Sequence, residues 1–250
     1  MAVISDPSTL ALIFGALMLA GLVKGTIGFG LPLVAVSIST LFLSKDWALA
    51  IMVLPIALSN LVLGFEGRRF IPSLRRFWPV VLALCTGLIV GAQLLSAMPQ
   101  HVFLLVLGAV VILFALAEQL RFVLPVPASH ERAVGVAAGI TGGLLGSIST
   151  AYGPPVIMYL AALRLDKAEF VAAIGAILSV ASIALIVAFS QAGILVGERF
   201  AWSLAACLPV GIGLLLGKRL RGRIAPEPFR RVVTIALFVL GFNLIRRGIA

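Results

Sequence analysis

At 250 residues, 62% hydrophobic and 11% charged, with a mean hydropathy of +1.20, the chain carries less than half the charge of an ordinary soluble domain. That excludes a water-soluble globule, and two cysteines without short-period repetition exclude disordered, collagenous and disulfide-scaffold classes. The net charge of +10, from 19 Lys and Arg against 9 Asp and Glu, sits in short gaps between apolar runs, the pattern of a helical membrane protein and not of a nucleic-acid binder.

Met1 to Thr9 contains Asp6 and no basic region, so no cleaved leader is expected. Next comes a long apolar segment, Ser8 to Leu43, interrupted by GLVKGTIGFGLP. Three runs of ordinary membrane-crossing length follow: Trp47 to Phe65, Phe77 to Ala97 and Val102 to Leu120. A proline-containing stretch leads to a second interrupted segment, Ala133 to Leu163, with GITGGLLGSISTAYGPP at its centre. Phe170 to Ala192, Phe200 to Leu216 and Phe229 to Ile245 complete the series. At about 1.5 Å per helical residue, each interrupted segment is too long for one crossing and too short for two, which predicts a broken, re-entrant element.

The interrupted segments match each other. Ala20 to Gly28 aligns without a gap onto Ala138 to Gly146, and after five extra residues Gly30-Leu31-Pro32 falls on Gly153-Pro154-Pro155. Further on, Trp78 pairs with Trp202 and Pro99 with Pro226. The chain therefore reads as an internal duplication. Residues 1–122 form a first membrane repeat, 123–132 a linker, and 133–250 a second repeat; each repeat is one broken element followed by three transmembrane helices.

Charge orients the halves. If both broken elements enter and leave on one side, the cytoplasmic connections gather Arg68, Arg69, Arg75, Arg76, Arg121, Arg132, Arg164, Lys167, Lys218, Arg219, Arg221, Arg223, Arg230 and Arg231. Lys45, Arg199, Arg246 and Arg247 fall on the other face, so the positive-inside rule selects this arrangement over eight simple crossings. Three crossings per half then place the second repeat upside down. The expected fold is an all-α integral membrane protein of two inverted repeats, an architecture of secondary transporters, with its C-terminus outside.

Non-helical backbone in a bilayer is tolerated only inside protein or along a watered cavity. The breaks, Gly25 to Gly30 and Gly142 to Gly153, are thus expected to face each other inside the bundle. Their glycines (Gly25, Gly28, Gly30, Gly143, Gly146 and Gly153) would let backbone approach a ligand, and half-helix N-termini suit an anion. Lys24 is the sharpest single residue, the one charged side chain between Asp6 and Lys45; a charge at such depth costs about 3 kcal/mol unless it faces a cavity or partner. Neutral hydroxyls complete the candidate site: Thr26 in the first break, and Ser147, Ser149, Thr150 and Tyr152 in the second. Asn60, Gln93 and Asn243 read as interhelical hydrogen-bonding amides.

The nine carboxylates lie at segment ends or in loops, which argues against a carboxylate proton relay or cation site. Cys85 and Cys207 occupy related runs without a CxxC and read as packing residues. His101 and His130 sit in connections, so no metal and no cofactor is expected.

AGLVKGTIGFGLP, AGITGGLLGSISTAYGPP, the basic link RRFIPSLRRFW and the closing LLLGKRLRGRIAPEPFRRVVTIALFVLGFNLI together resemble the TauE/SafE sulfite exporter family, the TSUP transporters. The family's glycine signature often ends in consecutive glycines, where this chain has Gly28-Phe29-Gly30 and Ser147-Ile148-Ser149. The resemblance implies a multi-pass protein of the plasma (bacterial inner) membrane that moves a small anion, a sulfur-containing oxyanion or organosulfonate of the sulfite or sulfoacetate type, and is not an enzyme. Its partners would be that anion and the lipid bilayer, with no nucleic acid; homo-oligomerisation stays open. Two other classes stay open as well: a channel-like anion pore, and an intramembrane redox or sulfur-handling enzyme using Cys85 or Cys207.

Overall fold

A computed structural model describes residues 7–28, 30–66, 69–120, 125–221, 223 and 226–249. Arg68, Arg121, Phe29 and the first two residues of the expected linker lie outside them. Every long element among the described residues is an α-helix: α1 (Pro7–Ile27), α2 (Leu31–Ser39), α3 (Lys45–Glu66), α4 (Phe70–Ala97), α5 (Gln100–Leu120), α6 (Glu131–Ser149), α7 (Gly153–Ala162), α8 (Lys167–Gln191), α9 (Glu198–Leu220) and α10 (Pro226–Ile249). The six uninterrupted apolar runs are α3, α4, α5, α8, α9 and α10, and the two interrupted ones are the pairs α1–α2 and α6–α7.

Among the described residues, seven stretches are long and apolar enough to cross a membrane. Six are the straight helices. The seventh, Ala128–Ser149, runs from the expected linker into the front part of the second interrupted segment, whose whole length is too long for one crossing and too short for two. Large apolar side chains such as Leu82, Leu94, Leu208, Leu215 and Val239 are exposed, as lipid-facing residues must be and as a soluble protein avoids.

The helices gather into two compact units, each drawing on both halves of the chain. One contains residues 1–55, 98–120 and 194–250. Within it, α1 packs on α9 through small residues. A methyl group added at Gly25 would lie 2.9 Å from the Gly217 Cα, and one added at Gly217 would lie 2.8 Å from the Gly25 Cα. Gly21 abuts Val210 and Leu214, one turn earlier on both helices, so the two run parallel. In the same unit α5 packs on α10, with Gly108 against Gly241 and Ile245, and Gly248 against His101 and Leu105. Rising numbers on one helix meet falling numbers on the other. These two helices are antiparallel.

The second unit contains residues 56–97 and 121–193. There α6 packs parallel on α4: Gly139 abuts Val80 and Leu84, and Gly143 abuts Leu84 and Gly87. The C-terminal half of α3 packs antiparallel on α8, with Gly64 against Gly175 and Asn60 bonded to Ser179 and Ser182. The α6–α4 contact reproduces the α1–α9 contact position for position, with Gly139 for Gly21, Gly143 for Gly25, Val80 for Val210 and Gly87 for Gly217. This register makes Pro79 of α4 the positional equivalent of Pro209 of α9, each inside its helix, and not Trp78 that of Trp202, which match in the sequence.

Basic side chains tie the ends of the second unit. Arg76 bridges Glu131 at 3.2 Å and Glu169 at 2.5 Å, joining α4 to the first turns of α6 and α8. Asp166 caps α8 by accepting a hydrogen bond from the Glu169 N–H at 2.8 Å.

Candidate functional site

Both interruptions are shorter than the sequence suggested. α1 stays helical through Ile27, so Lys24, Gly25 and Thr26 lie in its last turn, and the described residues of the first break are Gly28 and Gly30. Gly28 (φ 102°) and Gly30 (φ 90°) adopt left-handed conformations that a side chain would disfavour. Gly30 caps α2, where Pro32 occupies the first turn and needs no N–H. The second break is likewise reduced to Thr150, Ala151 and Tyr152, because Gly142, Gly143, Gly146, Ser147 and Ser149 all lie within α6. Thr150 ends α6 at φ 55°, a costly conformation for a β-branched residue; its hydroxyl donates to the Ser149 carbonyl at 2.7 Å.

At the first break Lys24 is half-buried, and its carbonyl accepts the Gly28 N–H at 2.8 Å. Gly25 is filled by α9, so its missing side chain serves close helix packing. The buried Thr26 hydroxyl donates to the Leu22 carbonyl at 2.9 Å and lies 3.4 Å from the Gly217 carbonyl. Arg221, just past α9, donates its Nε–H to the Thr26 carbonyl at 3.1 Å. Along α2, the Ser37 and Ser39 hydroxyls are buried with no hydrogen-bond partner among the described residues.

The second break is closed by a different device. Gly146 leaves room for the chain to fold back, since a methyl group there would lie 2.9 Å from the Tyr152 Cα. Tyr152 is almost fully buried, and its hydroxyl lies 2.6 Å from Ser182 Oγ and 2.9 Å from Asn60 Nδ2. Ser182 donates to the Leu178 carbonyl at 2.7 Å, which leaves the tyrosine as donor to Ser182. Asn60 donates to both oxygens, its bond to Ser182 being 3.2 Å. Ser147 and Ser149 bond back to Leu144 and Leu145 carbonyls, and Ser149 Oγ also accepts the Ala151 N–H at 3.2 Å. Gly143 is packed against Leu84 and Gly87, whereas Gly153 meets only ordinary contacts 3.6 Å away.

The TauE family model, described as sulfite exporter TauE/SafE, matches residues 13–244, nearly the whole chain and both breaks. The chain belongs to the TauE/SafE sulfite exporter family. No curated protein and no solved structure matches it.

Within this TauE/SafE member the breaks are equivalent in sequence and unlike in chemistry. The position of Lys24 is taken in the second copy by Gly142, where a methyl group would sit 3.1 Å from the Tyr152 carbonyl oxygen, a tight contact. The first break is cationic and the second is a neutral hydroxyl network. No group of three His, Cys, Asp or Glu side chains suited to a metal occurs among the described residues. In the sequence, Tyr152 and Asn60 stand out but their shared partner Ser182 does not, and Arg221 is one more cytoplasmic charge. A serine pair one turn apart, Ser179 and Ser182 within an apolar run, was the available signal for the former.

Proposed function

We propose that this protein is a secondary transporter that moves a small anion, a sulfur-containing oxyanion or organosulfonate of the sulfite type, across the plasma membrane by alternating access. The family match carries this reading. Support for inverted repeats comes from direction: α5 and α10, the last helices of residues 1–122 and 133–250, pack antiparallel, as do α3 and α8. Equivalent helices of parallel repeats would run the same way. Inverted repeats that each carry a broken helix are an arrangement from which transporters build substrate sites.

The substrate-binding residues proposed are Lys24, Gly28 and Gly30 at the first break and Ser149, Thr150 and Gly153 at the second. Gly25, Thr26, Gly143, Gly146, Ser147 and Tyr152 then support the site by packing and hydrogen bonding. Export of a divalent anion is favoured by an inside-negative potential, by about 2.3 kcal/mol per charge per 100 mV.

The test is flux into proteoliposomes of radiolabelled sulfite, sulfate, sulfonates and carboxylates. Saturable transport of at least one sulfur oxyanion is expected. Flux that rises linearly with concentration would identify a pore. Activity abolished by Cys85→Ala with Cys207→Ala would identify sulfur chemistry instead.

A further inference from the structure

The repeated helix contact breaks its own symmetry one turn beyond the glycine pair. In the second copy, Gly143 meets Gly87, and the next turn of α4 presents Gly91 to Ser147. In the first copy, Gly25 meets Gly217, and the residue in the place of Gly91 is Arg221. A position that is bare in one copy carries a guanidinium in the other.

Arg221 reaches the first break. Its Nε–H donates to the Thr26 carbonyl at 3.1 Å, one of the last carbonyls of α1, which no helical N–H can satisfy. Its Nη2 lies 3.8 Å from where a Cβ on Gly28 would be, and Gly28 is exposed, with φ 102°. Capping a carbonyl takes one neutral donor. A guanidinium has five N–H donors and a permanent charge, and its terminal edge matches two oxygens of an oxyanion.

We propose that Arg221 is a second cationic ligand, with Lys24, of an oxyanion held at the first break, and that it receives the anion on its Nη edge over the bare backbone of Gly28. This rests on the anion-transport reading. The second copy has Gly142 and Gly91 in the two places, so recognition of charge belongs to the first break alone.

Purified wild type, Arg221→Gln, Arg221→Lys and Arg219→Gln are compared for sulfite uptake in proteoliposomes and for protection by sulfite against thermal unfolding. Arg221→Gln is expected to raise KM about tenfold and to lose the protection. Arg219→Gln removes the same charge two residues away and is expected to keep both. Arg221→Lys keeps the charge without the planar fork, and a KM raised several-fold at an unchanged melting temperature is expected; this variant carries the test if the glutamine variant does not reach the membrane. A lower melting temperature with unchanged KM and intact protection would make Arg221 a helix cap only and overturn the proposal alone. A wild type that neither transports nor is protected by any anion in the panel overturns the transport reading, and this one with it.

Discussion

Gly108 and Gly241 occupy each other's vacant side-chain space: a methyl group on Gly108 would lie 2.8 Å from the Gly241 carbonyl oxygen, and one on Gly241 would lie 3.1 Å from the Gly108 carbonyl oxygen. Such reciprocity is what a local twofold axis between equivalent helices, as inverted repeats would have, is expected to produce. Ile245 and Ile112 repeat it on either side.

Backbone cannot yield to an added methyl as a flexible side chain can. Gly108→Ala is therefore expected to lower stability by about 1–3 kcal/mol, within the range for overpacking. Gly15→Ala, where nothing lies within 4 Å, is expected to be neutral or slightly stabilising. SDS-driven unfolding in mixed micelles measures both. Equal stability of the two variants would contradict the close α5–α10 packing.

Antiparallel packing of α5 and α10 also fixes which ends meet. In a Cys85→Ala, Cys207→Ala background, a short bis-maleimide is expected to join His101→Cys to Ile249→Cys, because Gly248 abuts His101. Val232→Cys lies 17 helical positions before Ile249, roughly 25 Å along α10, and is expected to stay unlinked. The opposite pattern would require parallel helices and would remove the support for inversion.

Inverted repeats would have a consequence at the membrane surfaces. Reporter fusions at Arg164 and Arg221 are expected to report the cytoplasm, and a fusion after Ile249 the outside, despite Arg246 and Arg247. A cytoplasmic C-terminus would refute the inverted topology.

Most helices were legible because hydropathy and length alone define a membrane span, as for α5 and α8. The extent of the breaks was not, since a glycine that ends a helix and one that admits a neighbouring helix look alike in sequence. Gly28 does the first and Gly25 the second, three residues apart. Register across helices was also hidden: Trp78 and Trp202 match by residue type, yet the packing pairs Pro79 with Pro209, because contacts of small residues set the alignment and tryptophans do not. Arg221 was concealed by its company, one of six basic residues between Lys218 and Arg231, until its bond to Thr26 distinguished it.

Tyr152 holds the second break through a closed set of donors and acceptors with Asn60 and Ser182. Tyr152→Phe keeps the ring and removes both the acceptor of one Asn60 bond and the donor to Ser182. Hydrogen bonds inside membrane proteins average about 0.6 kcal/mol, so losing two linked bonds is expected to cost about 1–2 kcal/mol. Ser182→Ala is expected to cost a similar amount, and the double variant less than the sum, because the three groups act together. Strict additivity in SDS unfolding would mean that the network does not act as a unit.

Lys24 lies in the last turn of α1, at the break whose counterpart has the tightly packed, uncharged Gly142 in its place. If the charge is there for an anion, Lys24→Gln should insert into the membrane normally and lose sulfite flux, whereas Lys24→Arg should retain part of it by keeping the charge. A lysine serving only to anchor the helix near the interface gives the reverse ranking, with insertion impaired in the glutamine variant and flux per inserted molecule unchanged. Flux normalised to the amount of protein in the bilayer distinguishes the two, and unchanged normalised flux in Lys24→Gln removes this residue from the site.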